Sequence, residues 1–419
     1  MGRLSRAQLQ QLNRAKVLAA AREEFAARGF PGAKVDSIAE RAGLTRGAVY
    51  SNFPGKQALY FAVLAELAES EPERYGTDSG AGTGRGGEGE CSPRTAIAAF
   101  ARAWTARLPL AGDRAAAAAG AGEAVDARLD THLMSEVLAD ERTRQPYGQL
   151  LKLDALLLAL ALEQLRPAEQ AYPQERPQDC LQDGRSDRAR MVRVAESVLT
   201  SLHGARQLAD AAPGFIEPFT VINACERLAD AAPHDTWAPP HLPYVPHARP
   251  VDEPWGAASP ESSVGHSLGG ADATSTPLPM DAVRAAPARL GGDGVLVVLG
   301  LHRLEAVEEA VRAVPPGTTV TAVIVSGSPD ELIPLARLAV ADVTSCLRAS
   351  FPPWAWPRLQ VVYDASGSLA AAAGLPAVSD GTEAAVRIAG GRIVARADGR
   401  GACHAAATAD LAPLVSTAG

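Results

Sequence analysis

The stretch from Val35 to Lys56 contains the residues whose types and spacing best suit a chemical task, which is binding to nucleic acid. It reads VDSIAERAGLTRGAVYSNFPGK. Gly43 permits the positive φ that a tight turn between two short helices requires. Thr45 is placed to cap the start of the second helix. The pattern therefore predicts a helix-turn-helix whose second helix covers residues 46–52.

We expect this second helix to enter the major groove of double-stranded DNA. Arg46 and Asn52 suit base edges or phosphates, whereas the Tyr50 hydroxyl and the Lys56 ammonium suit phosphates. Small residues beside them would let the helix approach the groove closely. The DNA-binding residues predicted on this motif are Thr45, Arg46, Gly47, Ala48, Tyr50, Ser51, Asn52 and Lys56.

The distribution of charge supports this interpretation. The chain has 419 residues and a formal net charge of −8, which taken alone argues against nucleic-acid binding. Residues 1–60, however, contain ten Lys or Arg and four Asp or Glu, a local balance of +6. Only this basic end is expected to be attracted to phosphate.

Four helices are expected to position the motif. A run over residues 8–28 without glycine or proline favours a long helix that stops at Gly29. Short helices then follow over 35–42 and 46–52. Pro54 disfavours helix at the residue before it, and a fourth helix is predicted over 56–70.

The segment over roughly residues 8–65 resembles the DNA-binding domain of TetR-family transcriptional regulators. The matching residues are Phe25, Gly29, Phe30, Ile38, Ala39, Ala42, Gly43, Thr45, Tyr50, Phe53, Lys56 and Leu59. The resemblance implies a homodimer whose two recognition helices enter successive major grooves of a near-palindromic operator. It also implies a helical second domain that binds a small-molecule effector and changes the spacing of those helices.

One position departs from the family pattern. The family usually has Thr or Ser just before the valine of the second helix, as cap and phosphate contact, and here Lys34 precedes Val35. A lysine keeps the attraction to phosphate, so Lys34 joins the expected DNA-binding residues. It also removes the cap, which costs roughly 1 kcal/mol at the start of that helix.

The whole chain is predicted to be multi-domain, with an all-α TetR-like part followed by a small α/β module. The predicted boundaries are a helix-turn-helix domain over 1–65, a glycine-rich loop over 66–92, a helical ligand-binding and dimerisation domain over 93–235, a proline-rich linker over 236–290 and the α/β module over 291–419. Helices of the helical domain are expected over 94–108, 123–141, 147–165, 188–210 and 216–230. The apolar helix over 150–165 could line a ligand pocket, and the last two helices could pair between the subunits of a dimer.

The α/β module resembles a thioredoxin-like fold, because strand, helix, strand, helix, strand and hairpin follow one another over 294–400. The stretches 361–376 and 386–399 are similar to the second half of such domains. A thiol enzyme of this kind needs a cysteine at the start of the helix after its first or second strand, where the helix dipole lowers the thiol pKa. Neither Gly300–Arg303 nor Ser326–Pro329 contains a cysteine.

These patterns favour a sequence-specific DNA-binding transcriptional regulator, a repressor released by a small-molecule effector, and not an enzyme. The alternative left open is a thiol-dependent redox enzyme or redox sensor on the C-terminal module, with DNA binding as its targeting device. No catalytic, cofactor or metal site is expected, because the linker histidines and the five cysteines have no ligand spacing. No apolar leader and no apolar run of about 20 residues is found, which predicts a cytoplasmic protein outside the membrane.

Overall fold

The computed structural model describes residues 5–70, 92–108, 129, 132–165, 190–231, 235–237, 246–256 and 279–409. They divide into two compact units, one helical and one built on a mixed sheet. Among the described residues, the helical unit takes 5–70, 92–108, 129, 132–165, 190–231, 235–236 and 328–356, and the α/β unit takes 237, 246–256, 279–327 and 357–409. The predicted glycine-rich loop lies outside the described residues from 71 to 91.

The first four helices lie close to their predicted bounds. They are α1 (Arg6–Gly32), α2 (Val35–Ala42), α3 (Arg46–Tyr50) and α4 (Lys56–Ser70). Gly29 has a φ of 64° inside α1 and interrupts its helical geometry there, which agrees with the predicted stop at this glycine. Buried Val17, Ala21 and Phe25 form the apolar stripe of α1.

Five more helices of the helical unit follow in the described residues. They are α5 (Pro93–Thr105), α6 (Leu133–Ala139), α7 (Glu141–Gln164), α8 (Val192–Ala211) and α9 (Pro218–Leu228). α7 begins before the predicted residue 147, because the Asp140 side chain caps it by accepting a hydrogen bond from the N–H of Arg142. The predicted helix over 123–141 includes α6, and most of its part before α6 lies outside the described residues.

A helix from the C-terminal part of the chain also belongs to the helical unit. α10 (Val307–Ala313) stays in the α/β unit, but α11 (Pro329–Ser350) packs against α4, α5 and α7. Nε of Arg337 on α11 donates to Glu69 of α4 at 2.9 Å. Residues 328–356 are therefore corrected from the predicted α/β module to the helical unit, because α11 buries its apolar residues among those helices.

The α/β unit contains a six-stranded mixed sheet in the order β1-β8-β7-β4-β5-β6. Its strands are β1 (Arg249–Pro254), β4 (Gly294–Gly300), β5 (Thr319–Val325), β6 (Leu359–Tyr363), β7 (Glu383–Ala389) and β8 (Arg392–Asp398), and β2 (Met280–Asp281) pairs separately with β3 (Ala286–Pro287). β4, β5 and β6 run parallel, whereas β7 is antiparallel to β4 and β8 to β7. Every residue of β4 is buried, as expected for a central parallel strand covered on both faces.

Two shorter helices complete the described part of the α/β unit: α12 (Ser368–Ala372) and α13 (Ala402–Ala407). α13 contacts β7, β8 and α10. Leu369 and Ala370 of α12 join the cluster formed by Leu296, Val323 and other strand residues. No helix among the described residues is long and apolar enough to cross a membrane.

The sequence prediction is wrong where it makes residues 236–290 a linker throughout. β1 lies within that range and pairs with β8 at the edge of the sheet. Its six residues include two prolines and three charged side chains, so it lacks the apolar alternation that marks a strand. Prolines are tolerated there because an edge strand bonds to a neighbour on one side only. The predicted hairpin is formed by β7 and β8, which turn at Gly390 and Gly391 with φ values of 55° and 72°.

Candidate nucleic-acid interface and helical cavity

The turn between α2 and α3 has the geometry that its residues predict. Gly43 ends α2 in the left-handed region, with φ of 65° and ψ of 32°. The Oγ1 of Thr45 accepts a hydrogen bond from the N–H of Ala48 at 3.2 Å and so caps α3. Ile38 and Val49 are buried beneath the turn. α2 and α3 are thus a helix-turn-helix with a fixed crossing.

Arg46 and Tyr50 form the exposed charged part of α3. A guanidinium nitrogen of Arg46 donates to both carboxylate oxygens of Asp36 at 3.3 Å, and its guanidinium carbon lies 5.6 Å from the centre of the Tyr50 ring. The hydrogen bond with Tyr50, and then the charge of Asp36, raise the pKa of Arg46. Gly47 beside them is exposed, and an added Cβ there would find only Thr45 Oγ1 within contact, at 3.9 Å. This face of α3 is therefore cationic and open to close approach.

The polar side chains at the end of α3 are bonded back to the helix. The Asn52 amide donates to the carbonyl of Ala48 at 2.8 Å, and the Ser51 hydroxyl donates to the same carbonyl at 2.9 Å. Ala48 and Asn52 are both half-buried, whereas Ser51 is exposed. A contact from the Asn52 amide to a base would require it to give up the bond to Ala48.

Lys56 lies where α4 begins and has two backbone acceptors. Its Nζ donates to the carbonyls of Phe30 at 2.8 Å and Ala33 at 3.3 Å. The same nitrogen lies 4.3 Å from the centre of the Phe30 ring. Lys56 thus ties the segment between α1 and α2 to the start of α4.

Lys34 stands at the first end of α2 and is exposed. Its side chain forms no cap hydrogen bond, as expected from the replacement of Thr or Ser by Lys. α2 therefore starts without the side-chain cap that α3 receives from Thr45.

Two residues that position the motif are absent from the predicted set. Arg14 of α1 donates to the carbonyl of Asn52 at 3.0 Å, and its guanidinium carbon lies 4.3 Å from the centre of the Phe53 ring. Glu24 is fully buried, with carboxylate oxygens 3.3 Å from Arg41 and 3.4 Å from Arg28. The spacing of Glu24 and Arg28 by four residues is the only signal of this group that the sequence offers.

α4 carries contacts from the helix-turn-helix to the helices that follow. The Gln57 amide donates to the carbonyl of Glu136 in α6 at 3.0 Å. The buried Tyr60 hydroxyl donates to the carbonyl of Leu129. The end of α4 is bonded to α11 through Glu69 and Arg337.

A cavity of about 1060 Å³ lies between α6, α7 and α8. The residues that line it are Leu133, Met134, Leu138, Tyr147, Leu151, Lys152, Ala155, Glu196, Leu199, Thr200, His203, Gly204, Arg206, Gln207, Asp210 and Ala211. Of the apolar helix expected to line a pocket, only its first part does so, since residues from Leu156 to Leu162 are buried in the core. The size and the apolar lining match those of a small-molecule site.

His203 is a polar residue of this cavity with a buried, unbonded ring nitrogen. Burial, and then the nearby charge of Arg206, lower the pKa of His203 to about 4. Its ring meets Trp104 edge to face, with 4.9 Å between ring centres. Nε2 is buried and has no hydrogen-bond partner among the described residues. His203 is thus neutral near pH 7 and has bonding capacity to spare.

Comparison with known proteins identifies the N-terminal part of the chain. Residues 17–63 match the family described as bacterial regulatory proteins, tetR family. A stretch of 52 residues is 52% identical to TtgW, described as an uncharacterized HTH-type transcriptional regulator of Pseudomonas putida, and one of the same length is 50% identical to the HTH-type transcriptional regulator SrpR of the same species. The N-terminal helices are therefore similar to the helix-turn-helix domain of the TetR family over residues 17–63.

The rest of the chain is less well covered by these relatives. The matches span 12% of this chain, 39% of TtgW and 24% of SrpR. A solved TetR transcriptional regulator from Rhodococcus sp. RHA1 aligns with 53% of this chain and 95% of its own, at 17% sequence identity and a TM-score of 0.29.

Proposed function

We propose that this protein is a sequence-specific DNA-binding transcriptional regulator that represses its target and releases DNA when a small molecule binds. The observation that carries the proposal is the helix-turn-helix of residues 35–50. On its second helix, α3, Arg46 is exposed, and the exposed Gly47 beside it allows close approach. The TetR-family match of residues 17–63 supports the same function. The proposed binding site is the major groove of an operator.

The proposed DNA-binding residues keep different tasks within this site. Arg46 and Tyr50 contact DNA directly, with Ser51 and Lys34 on the phosphates, while Gly47 and Ala48 allow close approach. Thr45, Asn52 and Lys56 hold α3 in place through their bonds to the backbone. For Arg46, binding exchanges the Asp36 carboxylate for a phosphate or a base edge.

We further propose that the regulator is a homodimer formed through α8 and α9. Phe215, just before α9, is 70% exposed, and Phe219, within α9, is 75% exposed. Leu208 of α8 is 43% exposed. Large apolar side chains so exposed and so close in the chain suit a self-complementary interface. Sedimentation equilibrium of the protein and of Phe219→Glu tests this, because a dimer should shift toward monomer in the variant.

The effector is proposed to occupy the cavity between α6, α7 and α8.

The α/β unit is proposed to be a thioredoxin-like module without thiol catalysis. The predicted order of strand, helix, strand, helix, strand and hairpin is present along the chain, but its second helix, α11, belongs to the helical unit. Cys225, Cys346 and Cys403 are buried, and burial raises the pKa of Cys403 well above its ordinary value. A buried thiol with a raised pKa is a poor nucleophile, so none of the three described cysteines favours the redox enzyme.

The experiment that tests the regulator function is to map the DNA bound by the full chain across its genome of origin and then measure binding to a mapped fragment. Tyr50→Ala should weaken that binding at every salt concentration. Arg142→Ala, a change at an exposed arginine in the first turn of α7, is the matched control and should bind as the unmodified protein does. Absence of any enriched fragment, or equal affinity of all three proteins, would contradict the proposal.

A further inference from the structure

The wall of the helical cavity contains a nitrogen that lacks a bonding partner in the described part of the chain. His203 lines the cavity, and its Nε2 is buried without a hydrogen bond. Because Nε2 is buried, the ring must rotate about its last torsion, which is broad for histidine, before this nitrogen can contact a ligand in the cavity. Leaving a buried polar atom unbonded is unfavourable. A ligand that bonds to Nε2 would remove this penalty.

The charges around the cavity are balanced within the protein. A guanidinium nitrogen of Arg206 lies 2.9 Å from a carboxylate oxygen of Asp342. Burial and the charge of Arg206 lower the pKa of His203 to about 4, so that its ring is neutral near pH 7. Lys152 and Glu196 line the cavity with opposite charges, and both are exposed. A charged ligand would therefore lose hydration without gaining an unmatched opposite charge.

The remaining surface of the cavity is mainly apolar. Leu133, Ala155 and Leu199 are buried in its wall, and Leu151 and Tyr147 are half-buried there. The volume of about 1060 Å³ lies at the upper end of the range of pockets that bind drug-sized ligands, about 300–1,000 Å³. Hydrophobic contact with such a wall supplies most of the binding free energy.

We propose that the cavity binds an uncharged, mostly apolar molecule that carries a hydroxyl group, and that this hydroxyl bonds to Nε2 of His203. A hydroxyl suits this position because it both donates and accepts, and so matches either tautomer of the neutral ring. The identification of this molecule as the effector rests on the proposed function. The binding itself needs no DNA, so the two proposals fail separately.

The test measures binding of 2-naphthol and naphthalene to the full chain by isothermal titration calorimetry, without DNA. The two probes share an apolar aromatic body and differ in the hydroxyl. The dissociation constant of naphthalene divided by that of 2-naphthol should be greater than one. His203→Phe should reduce this ratio about tenfold. 2-Naphthoate, which carries a charge on the same body, should bind more weakly than 2-naphthol.

Controls keep the outcome interpretable. His132→Phe, at a histidine outside the cavity lining, should leave the ratio unchanged, and Gly204→Trp should weaken binding of both probes by occupying part of the cavity. His203→Leu replaces His203→Phe if thermal unfolding shows that the latter does not fold, since leucine also lacks a hydrogen-bonding group. An unchanged ratio in the His203 variants, equal affinity for 2-naphthoate, or affinities unchanged by Gly204→Trp would overturn the proposal. If the probes bind as expected but the unmodified protein binds no DNA, the proposed function would be contradicted and the proposed ligand site would not.

Discussion

In the helix-turn-helix head (residues 5–70), the buried Glu24 carboxylate and the half-buried Lys56 ammonium have charged or backbone partners inside the protein. Oε2 of Glu24 lies 3.3 Å from Arg41 as an ion pair but has no hydrogen bond within the described residues. The Glu24 carboxylate meets Arg28 and Arg41, and the Lys56 ammonium meets two backbone carbonyls. In the cavity of the same helical unit, Nε2 of His203 is buried with no partner among the described residues. The charged groups of the head are thus paired within the protein in the absence of DNA, whereas Nε2 of His203 in the cavity has an unmet hydrogen bond that a ligand can supply.

This contrast shows that the type of a residue is a poor guide to its task. Lys56 and Arg46 are both cations in the recognition segment, yet Lys56 bonds to the backbone and Arg46 is exposed beside Asp36. Partners and burial distinguish a cation that supports the fold from one that can be exchanged to a phosphate. The following predictions test that distinction, beginning with the largest expected change in stability.

The paired state of Glu24 is the strongest part of the contrast. Replacing both Arg28 and Arg41 by Ala leaves a fully buried carboxylate without these cations. The free energy of unfolding should fall by about 3 kcal/mol, since an uncompensated buried charge is strongly destabilising. Denaturant unfolding monitored by circular dichroism measures the loss.

A third substitution separates charge from packing at this position. Adding Glu24→Gln to the double variant removes the buried charge at nearly constant volume and should restore most of the lost stability. If the triple variant is as unstable as the double one, the arginines stabilise the head by packing and not by pairing with Glu24.

The neutral state of His203 gives the cavity its own pH dependence. Its folded pKa of about 4 lies below the ordinary value of 6.5, so between these values the unfolded chain binds more protons than the folded protein. Stability should therefore fall as the pH falls, by about 2 kcal/mol from pH 7 to pH 5 for this group. Arg206 and Asp342 are the charges that act on the ring.

The measurement compares denaturant unfolding of the protein and of His203→Phe at the two pH values. The difference in stability between them should shrink or reverse at pH 5, because only the histidine must exclude a proton to fold. Parallel pH profiles for the two proteins would show that His203 is not buried in its neutral form.

Lys56 is expected to act through the fold of the head. Lys56→Met keeps an apolar stem near the Phe30 ring and removes the donor to the carbonyls of Phe30 and Ala33. The free energy of unfolding should fall by about 1.5 kcal/mol, while the salt dependence of DNA binding by the folded protein stays the same. Unchanged stability with a smaller salt dependence would make Lys56 a phosphate contact instead.

Local features of the head were predictable because they depend on neighbours in the chain. Gly43 and Thr45 determine the turn and the cap within a few residues, and the bounds predicted for α2 and α4 agree with the structure. The backbone acceptors of Lys56 were not predictable, since they lie more than 20 residues away in the chain.

Contacts between residues far apart in the chain also determine α11, β1 and the cavity. α11 joins the helical unit through pairs such as Asp342 with Arg206, separated by 136 residues. β1 resembles a linker because its pairing with β8, and not its composition, makes it a strand. The cavity requires three helices to meet, and only the apolar character of α7 indicated one of its walls.

Arg46 provides the complementary case, with an effect on binding and none on the fold. Its side chain is 60% exposed, and its contacts with Asp36 and Tyr50 lie at the surface, where ion pairs contribute little to stability. Arg46→Ala should therefore unfold at the same denaturant concentration as the unmodified protein. If Arg46 neutralises one phosphate, the slope of log affinity against log salt should become smaller by about 0.9. Fluorescence anisotropy with a mapped DNA fragment measures that slope, with Arg142→Ala as the matched control. A loss of stability together with an unchanged slope would place Arg46 with Lys56 among the residues that support the fold, and the distinction by partners and burial would fail at the position where it matters most for recognition.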